Sequence, residues 1–211
     1  MILAFFGAFN PPTSAHLQLA RFALEAVQAD KVIFVPSRSA YIRDEQGKDF
    51  AYSDEQRLAM LREAAKSRPW MEITDWELHL NRQPRTYETL CHLRDTGPAP
   101  SLLMGSDKLA ELEHNWLHVE EIAREFGIVC LSRGSDRCVS MIRESAFLSS
   151  LAPWIRVLET PEQTRVVSST MIRQKVREIR RLREELSPLV PQEILPMLLS
   201  ETSGAGSGRE P

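Results

Sequence analysis

Cysteine is scarce: the 211 residues hold three, Cys91, Cys130 and Cys138. They are odd in number and form no Cys-x-x-Cys pair. Neither a disulfide framework nor a zinc knuckle is signalled, and reduced thiols are expected. Long hydrophobic runs are missing too. The apolar start, Met1 to Phe6, is too short to span a bilayer. No basic segment leads into an apolar stretch and a small-residue cleavage site, so the expectation is a cytoplasmic protein with no membrane partner. Charge of one sign is lacking as well. A formal net charge of −3 gives no global reason to expect nucleic acid. No internal repeat is present.

Hydrophobic residues make up 43% and charged residues 26%, the balance of an ordinary globular protein. The length suits a single domain over residues 1–200, followed by a disordered tail at 201–211 that ends in Gly and Ser-rich "SGAGSGREP". Short apolar runs at Ile2–Phe6, Val32–Val35, Leu102–Met104, Ile128–Leu131 and Ile155–Leu158, most of them continuous rather than alternating, predict parallel strands covered on both faces. Met71–Leu78 reads as another extended segment. Helices are expected after the first run (Leu17, Ala20, Leu24, Val27), from Ser53 with Gln56 as capping box, and at Thr86–Arg94, Val119–Phe126, Ser169–Leu186 and Gln192–Leu199. The polar, aperiodic stretch Ser37–Tyr52 reads as a long mobile loop of the kind that forms lids. Such alternation implies an α/β fold with a doubly wound, mainly parallel sheet and helices on both faces. Ligands of such sheets bind beyond the carboxyl ends of the strands.

At the first of those ends stands "GAFNPPTSAH", residues 7–16. Gly7 allows a sharp turn and would let a ligand approach without a β-carbon in the way. Thr13 is a candidate N-cap. His16 then falls in the first helical turn, beside unpaired amides and the positive end of the helix dipole, where a phosphate oxygen is welcome. The bland alternative is a surface histidine on a capped helix.

A second candidate is "VVSSTMIR", residues 166–173. Ser168 and Ser169 can cap the helix that follows, Thr170 adds a hydroxyl, and Arg173 lies on the same face as Ser169. A guanidinium there suits bidentate recognition of phosphate. A capped helix with a solvated arginine is the alternative.

Together the two stretches resemble the nicotinamide/nicotinate mononucleotide adenylyltransferases, members of the wider nucleotidyltransferase superfamily with a Rossmann-like sheet. That family opens with "GxFNPxTxxH" or "GxFDPxHxGH" and closes with "ISSTxIR". The likeness runs from about Ile2 to Leu198. It implies ATP contacts at Gly7, Ala8, Phe9, His16, Gly105, Asp107 ("MGSDKL"), Ser168, Ser169, Thr170 and Arg173, with catalysis carried by His16, Thr13 and Arg173. It implies acceptor contacts at Asn10, Trp76 ("EITDWEL"), Thr86 ("RTYETL"), Trp116 ("HNWLHVEEI") and Arg133 ("IVCLSR"). Lys48 or Arg43 would supply the basic residue of the loop after the second strand. The chain departs from the family where Thr13 replaces a common His, Ala15 a common Gly, and Arg165-Val166 an Asn-containing pair.

The implied partners are ATP and a pyridine mononucleotide, joined in NAD synthesis with release of pyrophosphate. Mg²⁺ would be carried with the ATP, with no metal ligand from the protein; a homo-oligomer stays open. Two alternatives stand beside this: a related transferase with another phosphorylated acceptor or CTP, and a nucleotide-binding sensor that has lost catalysis. His114 and His118 have metal-ligand spacing but no obvious third ligand. The basic run at 173–186 is interleaved with glutamates, as in a solvated helix face.

Overall fold

The structure is a computed structural model and describes residues 1–44, 51–132, 138–160 and 169–186. The chain divides into two compact units, Met1–Ser169 and Thr170–Pro211.

In the first unit the elements run β1 (Ile2–Gly7), α1 (Ser14–Val27), β2 (Lys31–Pro36), α2 (Ser39–Asp44), α3 (Asp54–Ala65), β3 (Met71–Ile73), a 3-10 turn (Trp76–His79), α4 (Thr86–Thr96) and β4 (Ser101–Gly105). Next come α5 (Ser106–Leu109), α6 (Leu112–Asn115), α7 (Val119–Glu121), a π-helical turn (Ile122–Phe126), β5 (Ile128–Ser132), α8 (Cys138–Glu144), α9 (Ala146–Leu151), a 3-10 turn (Ala152–Trp154) and β6 (Ile155–Glu159). The last described helix, α10 (Ser169–Leu186), starts at the end of this unit.

The six strands form one sheet in the order β3-β2-β1-β4-β5-β6, and every pairing is parallel. Strand residues alternate between two cores, as a pleat requires. Ile2, Ala4, Ile33, Val35, Leu102, Met104, Ile128 and Cys130 pack with α4 and the helices around β5. Leu3, Phe5, Val32, Phe34, Leu103, Val129 and Leu131 pack with α1 and α3. Burial on both faces explains why the runs of β1, β2, β4 and β5 are continuous in sequence, whereas edge strand β6 carries exposed Arg156 within its run.

The sheet grows outward from β1 in one direction, then returns to place β4 on its other side. The topological switch point therefore lies between β1 and β4, where a doubly wound sheet opens its crevice. Leu3, Ala4 and Phe5 pair with Ser101, Leu102 and Leu103, so the strands reach that edge side by side at Gly7 and Gly105.

Three expectations are corrected. Met71–Leu78 is not one extended segment: the strand stops at Ile73 and the chain coils through Trp76–His79. Val119–Phe126 is one short α-helical piece running into a π turn, ended by Gly127 at φ 73°. The stretch from Ser37 is not wholly loop, because α2 spans Ser39–Asp44 and buries Ile42 completely. Six residues are too few to show a helical period in sequence. The expected helix at Gln192–Leu199 and the 201–211 tail lie outside the described residues. No helix among the described residues is long and apolar enough to cross a membrane.

Candidate functional site

β1 delivers the chain to the switch point at Gly7. Phe9 takes up a left-handed φ of 41° and folds its ring back over that glycine. A β-carbon added at Gly7 would lie 3.0 Å from Phe9 Cζ. The ring is 1% exposed and packs against Phe34 at 5.3 Å, His16 at 5.2 Å and Phe5 at 5.6 Å between centroids. This corrects the reading of Gly7: the space its missing β-carbon leaves is filled by the protein's own aromatic ring, not held open for a ligand. The Asn10–Pro11 peptide is cis, and Asn10 is buried, its Oδ1 accepting the Tyr52 N–H at 2.9 Å.

Helix α1 begins as the sequence suggests. Thr13 is its N-cap, extended at φ −125°, ψ 162°, and Thr13 Oγ1 lies 3.4 Å from the His16 N–H. The Thr13 N–H donates back to His16 Nδ1 at 3.0 Å, and Thr13 Oγ1 lies 2.8 Å from the same nitrogen. This is a capping box with an imidazole where Glu or Gln commonly stands. Because a backbone N–H donates to Nδ1, that nitrogen is an acceptor, and the proton of the neutral ring sits on Nε2. The first turn of α1 carries no acidic residue, so nothing in it opposes the positive end of the helix dipole.

Across the switch point, β4 ends at Gly105 and α5 starts at once. Ser106 is buried, and Asp107 is exposed in the first turn of α5. Lys108 is held by Glu111 at 2.8 Å.

The expected acceptor residues are more scattered. Trp76 sits on the 3-10 turn beyond β3, with its ring stacked on His92 at 4.3 Å and 11°. One face of the Trp76 ring is therefore already covered. Thr86 opens α4, where Glu88 accepts the Arg85 N–H at 3.0 Å. Hydrogen bonds from the Arg82 guanidinium and the Arg85 backbone hold the Glu88 carboxyl at about 2. Trp116 lines an open cleft of about 790 Å³ with Leu112, Val119, Phe147 and several glutamates; no residue of the 7–16 turn lines it.

Between Trp76 and Thr86 the structure reveals a buried carboxyl that composition did not flag. Glu77 is 2% exposed. Burial pushes it up to about 7, partly offset by hydrogen bonds from Thr89 Oγ1 at 2.7 Å and Gln83 Nε2 at 2.5 Å.

Arg57 was also missed. It is fully buried on α3 and makes four donations: to the carbonyls of Ala8 (2.6 Å), Ser37 (2.5 Å) and Tyr52 (3.3 Å), and to Asp54 Oδ1 (2.5 Å). Burial lowers its pKa and Asp54 opposes that shift. The arginine clamps the turn after β1 to the chain leaving β2. The signal was its spacing: Arg57 lies four residues before buried Leu61, on the core-facing side of α3.

Of the remaining expected residues, Arg43 is exposed in the last turn of α2, while Lys48, Arg133 and Ser168 lie outside the described residues. Ser169 Oγ donates to the Pro11 carbonyl at 2.9 Å, both residues lying in the first unit. Thr170 and Arg173 belong to the second unit, where Arg173 Nη2 donates to Thr170 Oγ1 at 3.0 Å.

A six-stranded parallel sheet in this order, with a Thr-x-x-His turn at its switch point, defines a Rossmann-like nucleotidyltransferase fold. The chain belongs to the cytidylyltransferase-like family, whose model matches residues 4–175. It is 31% identical over 193 residues to a probable nicotinate-nucleotide adenylyltransferase of Clostridium acetobutylicum, covering 90% of this chain and 92% of that one. A probable nicotinate-nucleotide adenylyltransferase of Carboxydothermus hydrogenoformans is 30% identical, with 90% of each chain covered. A third relative is a probable nicotinate-nucleotide adenylyltransferase/Ap4A hydrolase of Mycoplasma pneumoniae. It is 33% identical over 133 residues; these are 62% of this chain and only 37% of that longer protein. Among solved structures, Plasmodium falciparum nicotinic acid mononucleotide adenylyltransferase complexed with NaAD superposes with a TM-score of 0.61 at 18% identity, covering 82% of each chain. The fold is thus shared well beyond the reach of sequence identity.

Proposed function

We propose that this chain is an adenylyltransferase of NAD synthesis, joining ATP to a pyridine mononucleotide and releasing pyrophosphate. The observation that carries the reading is the Thr13–His16 capping box at the switch point. It fixes the imidazole with Nδ1 turned to the backbone and Nε2 as the proton-bearing nitrogen. The relatives of the same family and near-full coverage support it.

In this reading the acceptor phosphate attacks the α-phosphorus of ATP in line, and the bond to the β-phosphate oxygen breaks. No covalent enzyme intermediate forms, so the protein's work is positioning and charge stabilisation. His16 Nε2–H donates to an α-phosphate oxygen as charge builds there. The α1 N-terminus adds its dipole. Ser169, Thr170 and Arg173 hold the departing β- and γ-phosphates, and Gly105 and Asp107 meet the adenosine. Asn10, Trp76, Thr86, Trp116 and Arg133 serve the acceptor, and Arg43 or Lys48 adds positive charge. Among the described residues no group of three or more His, Cys, Asp or Glu is placed to hold a metal ion. Mg²⁺ would arrive on the triphosphate and neutralise phosphate charge there.

The test is pyrophosphate release from ATP and Mg²⁺ with nicotinate mononucleotide and nicotinamide mononucleotide in turn. Release with either acceptor is expected. Absence of release with both defeats the reading.

A further inference from the structure

We propose that Glu77 is a positioning residue of the acceptor site, setting Trp76 and Thr86 in register through one buried hydrogen-bond set; this rests on the adenylyltransferase reading above. Glu77 is 2% exposed, so it acts through its neighbours rather than on a ligand. Its two carboxylate oxygens serve two different segments. Oε1 accepts from Thr89 Oγ1 at 2.7 Å, and Oε2 accepts from Gln83 Nε2 at 2.5 Å. Thr89 is itself fully buried on α4. The carboxyl therefore joins the 3-10 turn at Trp76–His79 to α4 and to the connector between them. Gln83 extends the set: its Oε1 accepts the Arg38 N–H at 2.9 Å, where the chain leaves β2.

The residues assigned to the acceptor stand on either side of this set. Trp76 immediately precedes Glu77. Thr86 lies three residues before Thr89, one turn earlier on the same face of α4. His92, three residues after Thr89, stacks on the Trp76 ring at 4.3 Å and 11°. Successive residues of the 3-10 turn thus dock on successive turns of one helix, Trp76 on His92 and Glu77 on Thr89. The stack fixes the plane of the indole but lets it slide, whereas the buried hydrogen bonds hold one distance and direction. A carboxyl is a costly choice here if filling the core were its only task. An apolar side chain of similar volume would pack without desolvating a polar group. Directional bonds to two segments instead specify how turn, connector and α4 meet, and that meeting sets the spacing of Trp76 and Thr86.

The experiment is steady-state kinetics of full-length Glu77→Leu, Thr89→Val and Glu77→Gln with ATP and each mononucleotide. Urea unfolding and calorimetric titration of each mononucleotide run alongside. Glu77→Leu loses both bonds and is expected to raise the acceptor KM about tenfold, with the KM for ATP within about twofold of wild type. Thr89→Val keeps the side-chain shape and loses only the bond to α4. Its acceptor KM should rise about threefold or more, again without a matching rise for ATP, and it decides the case if Glu77→Leu does not fold. Glu77→Gln can still bond both Gln83 and Thr89, and should return the acceptor KM to within about twofold of wild type. A merely structural role would lower the urea midpoint and leave the two KM values in their wild-type ratio. That outcome overturns the role of Glu77 and leaves the adenylyltransferase reading standing. So does an unchanged acceptor KM in the folded Glu77→Leu and Thr89→Val variants, or a Glu77→Gln enzyme as impaired as Glu77→Leu. If wild type releases no pyrophosphate, that reading falls, and the titrations decide for Glu77. Weaker mononucleotide binding in Thr89→Val than in wild type and Glu77→Gln supports the role, and equal or absent binding overturns it.

Discussion

The Thr13 backbone N–H donates to His16 Nδ1 over 3.0 Å, so one imidazole both caps α1 and is locked in a single orientation. Two roles then rest on one ring, and one substitution cannot separate them. His16→Ala removes both, and is expected to lower turnover more than about tenfold, toward the 10²–10³ typical of a lost charge-stabilising donor. It should also lose about 1 kcal/mol of stability with the capping box. His16→Gln retains an oxygen that can accept the Thr13 N–H but has no imidazole Nε2–H. Its stability should recover while turnover stays low. Turnover near wild type in either folded variant sinks the catalytic role; ATP titration should show binding retained in both.

Arg57 concerns the frame rather than the chemistry. Arg57→Met would leave the carbonyls of Ala8, Ser37 and Tyr52 without this donor and Asp54 without its buried cation. Asp54 is partly exposed and so can recover some solvation. The expected loss is about 2–4 kcal/mol in urea unfolding, at the lower side of what breaking a buried pair costs. Because Ala8 lies in the proposed ATP turn, the KM for ATP should rise more than the KM for the acceptor. An equally stable variant would show that the four donations are energetically idle.

What could be read from the sequence divides along physical lines. The continuous runs of β1, β2, β4 and β5 became strands because burial on both faces leaves a composition signal that needs no knowledge of neighbours. The Thr13 and Ser53 caps were legible because capping is local: both partners lie within one turn. The failures all depend on contacts distant in sequence or on backbone geometry. Trp76 looked like part of a strand because a 3-10 turn of four residues has no period of its own. Arg57 drew no notice in the sequence because its acceptors lie up to 49 residues away. The Phe9 ring over Gly7 follows from a left-handed φ at a non-glycine residue, which no residue pattern announces.

Glu77 should make stability depend on pH. Its folded pKa of about 7 stands above the 4.5 of an ordinary glutamate, so the folded state holds a proton that the unfolded chain has released between these values. The stabilisation is complete below about pH 4.5 and is lost as pH rises through about 7, by the linkage relation. Glu77→Gln keeps an acceptor oxygen toward Gln83 and turns an amide N–H toward Thr89 Oγ1, which then accepts instead of donating, without the charge. The variant should gain stability relative to wild type at pH 8 and match it near pH 4.5, as read from urea midpoints across that range. An identical pH profile in both proteins would exclude this carboxyl as the source.

Gly7→Ala tests the correction made at the first turn. If glycine were needed to admit a ligand, alanine would weaken ATP binding and leave the fold intact. The structure instead places Phe9 Cζ 3.0 Å and Cε1 3.2 Å from the new methyl. The ring cannot simply retreat, because Phe5, Phe34 and His16 surround it in the core. Overpacking of this kind costs about 1–3 kcal/mol, and the strain passes to His16 through its edge contact with Phe9. Both stability and turnover should therefore fall together, and pairing with Phe9→Leu, which shortens the offending side chain, should recover part of the stability. Loss of ATP affinity with an unchanged urea midpoint would restore the ligand-access explanation and show that the Phe9 ring yields without cost.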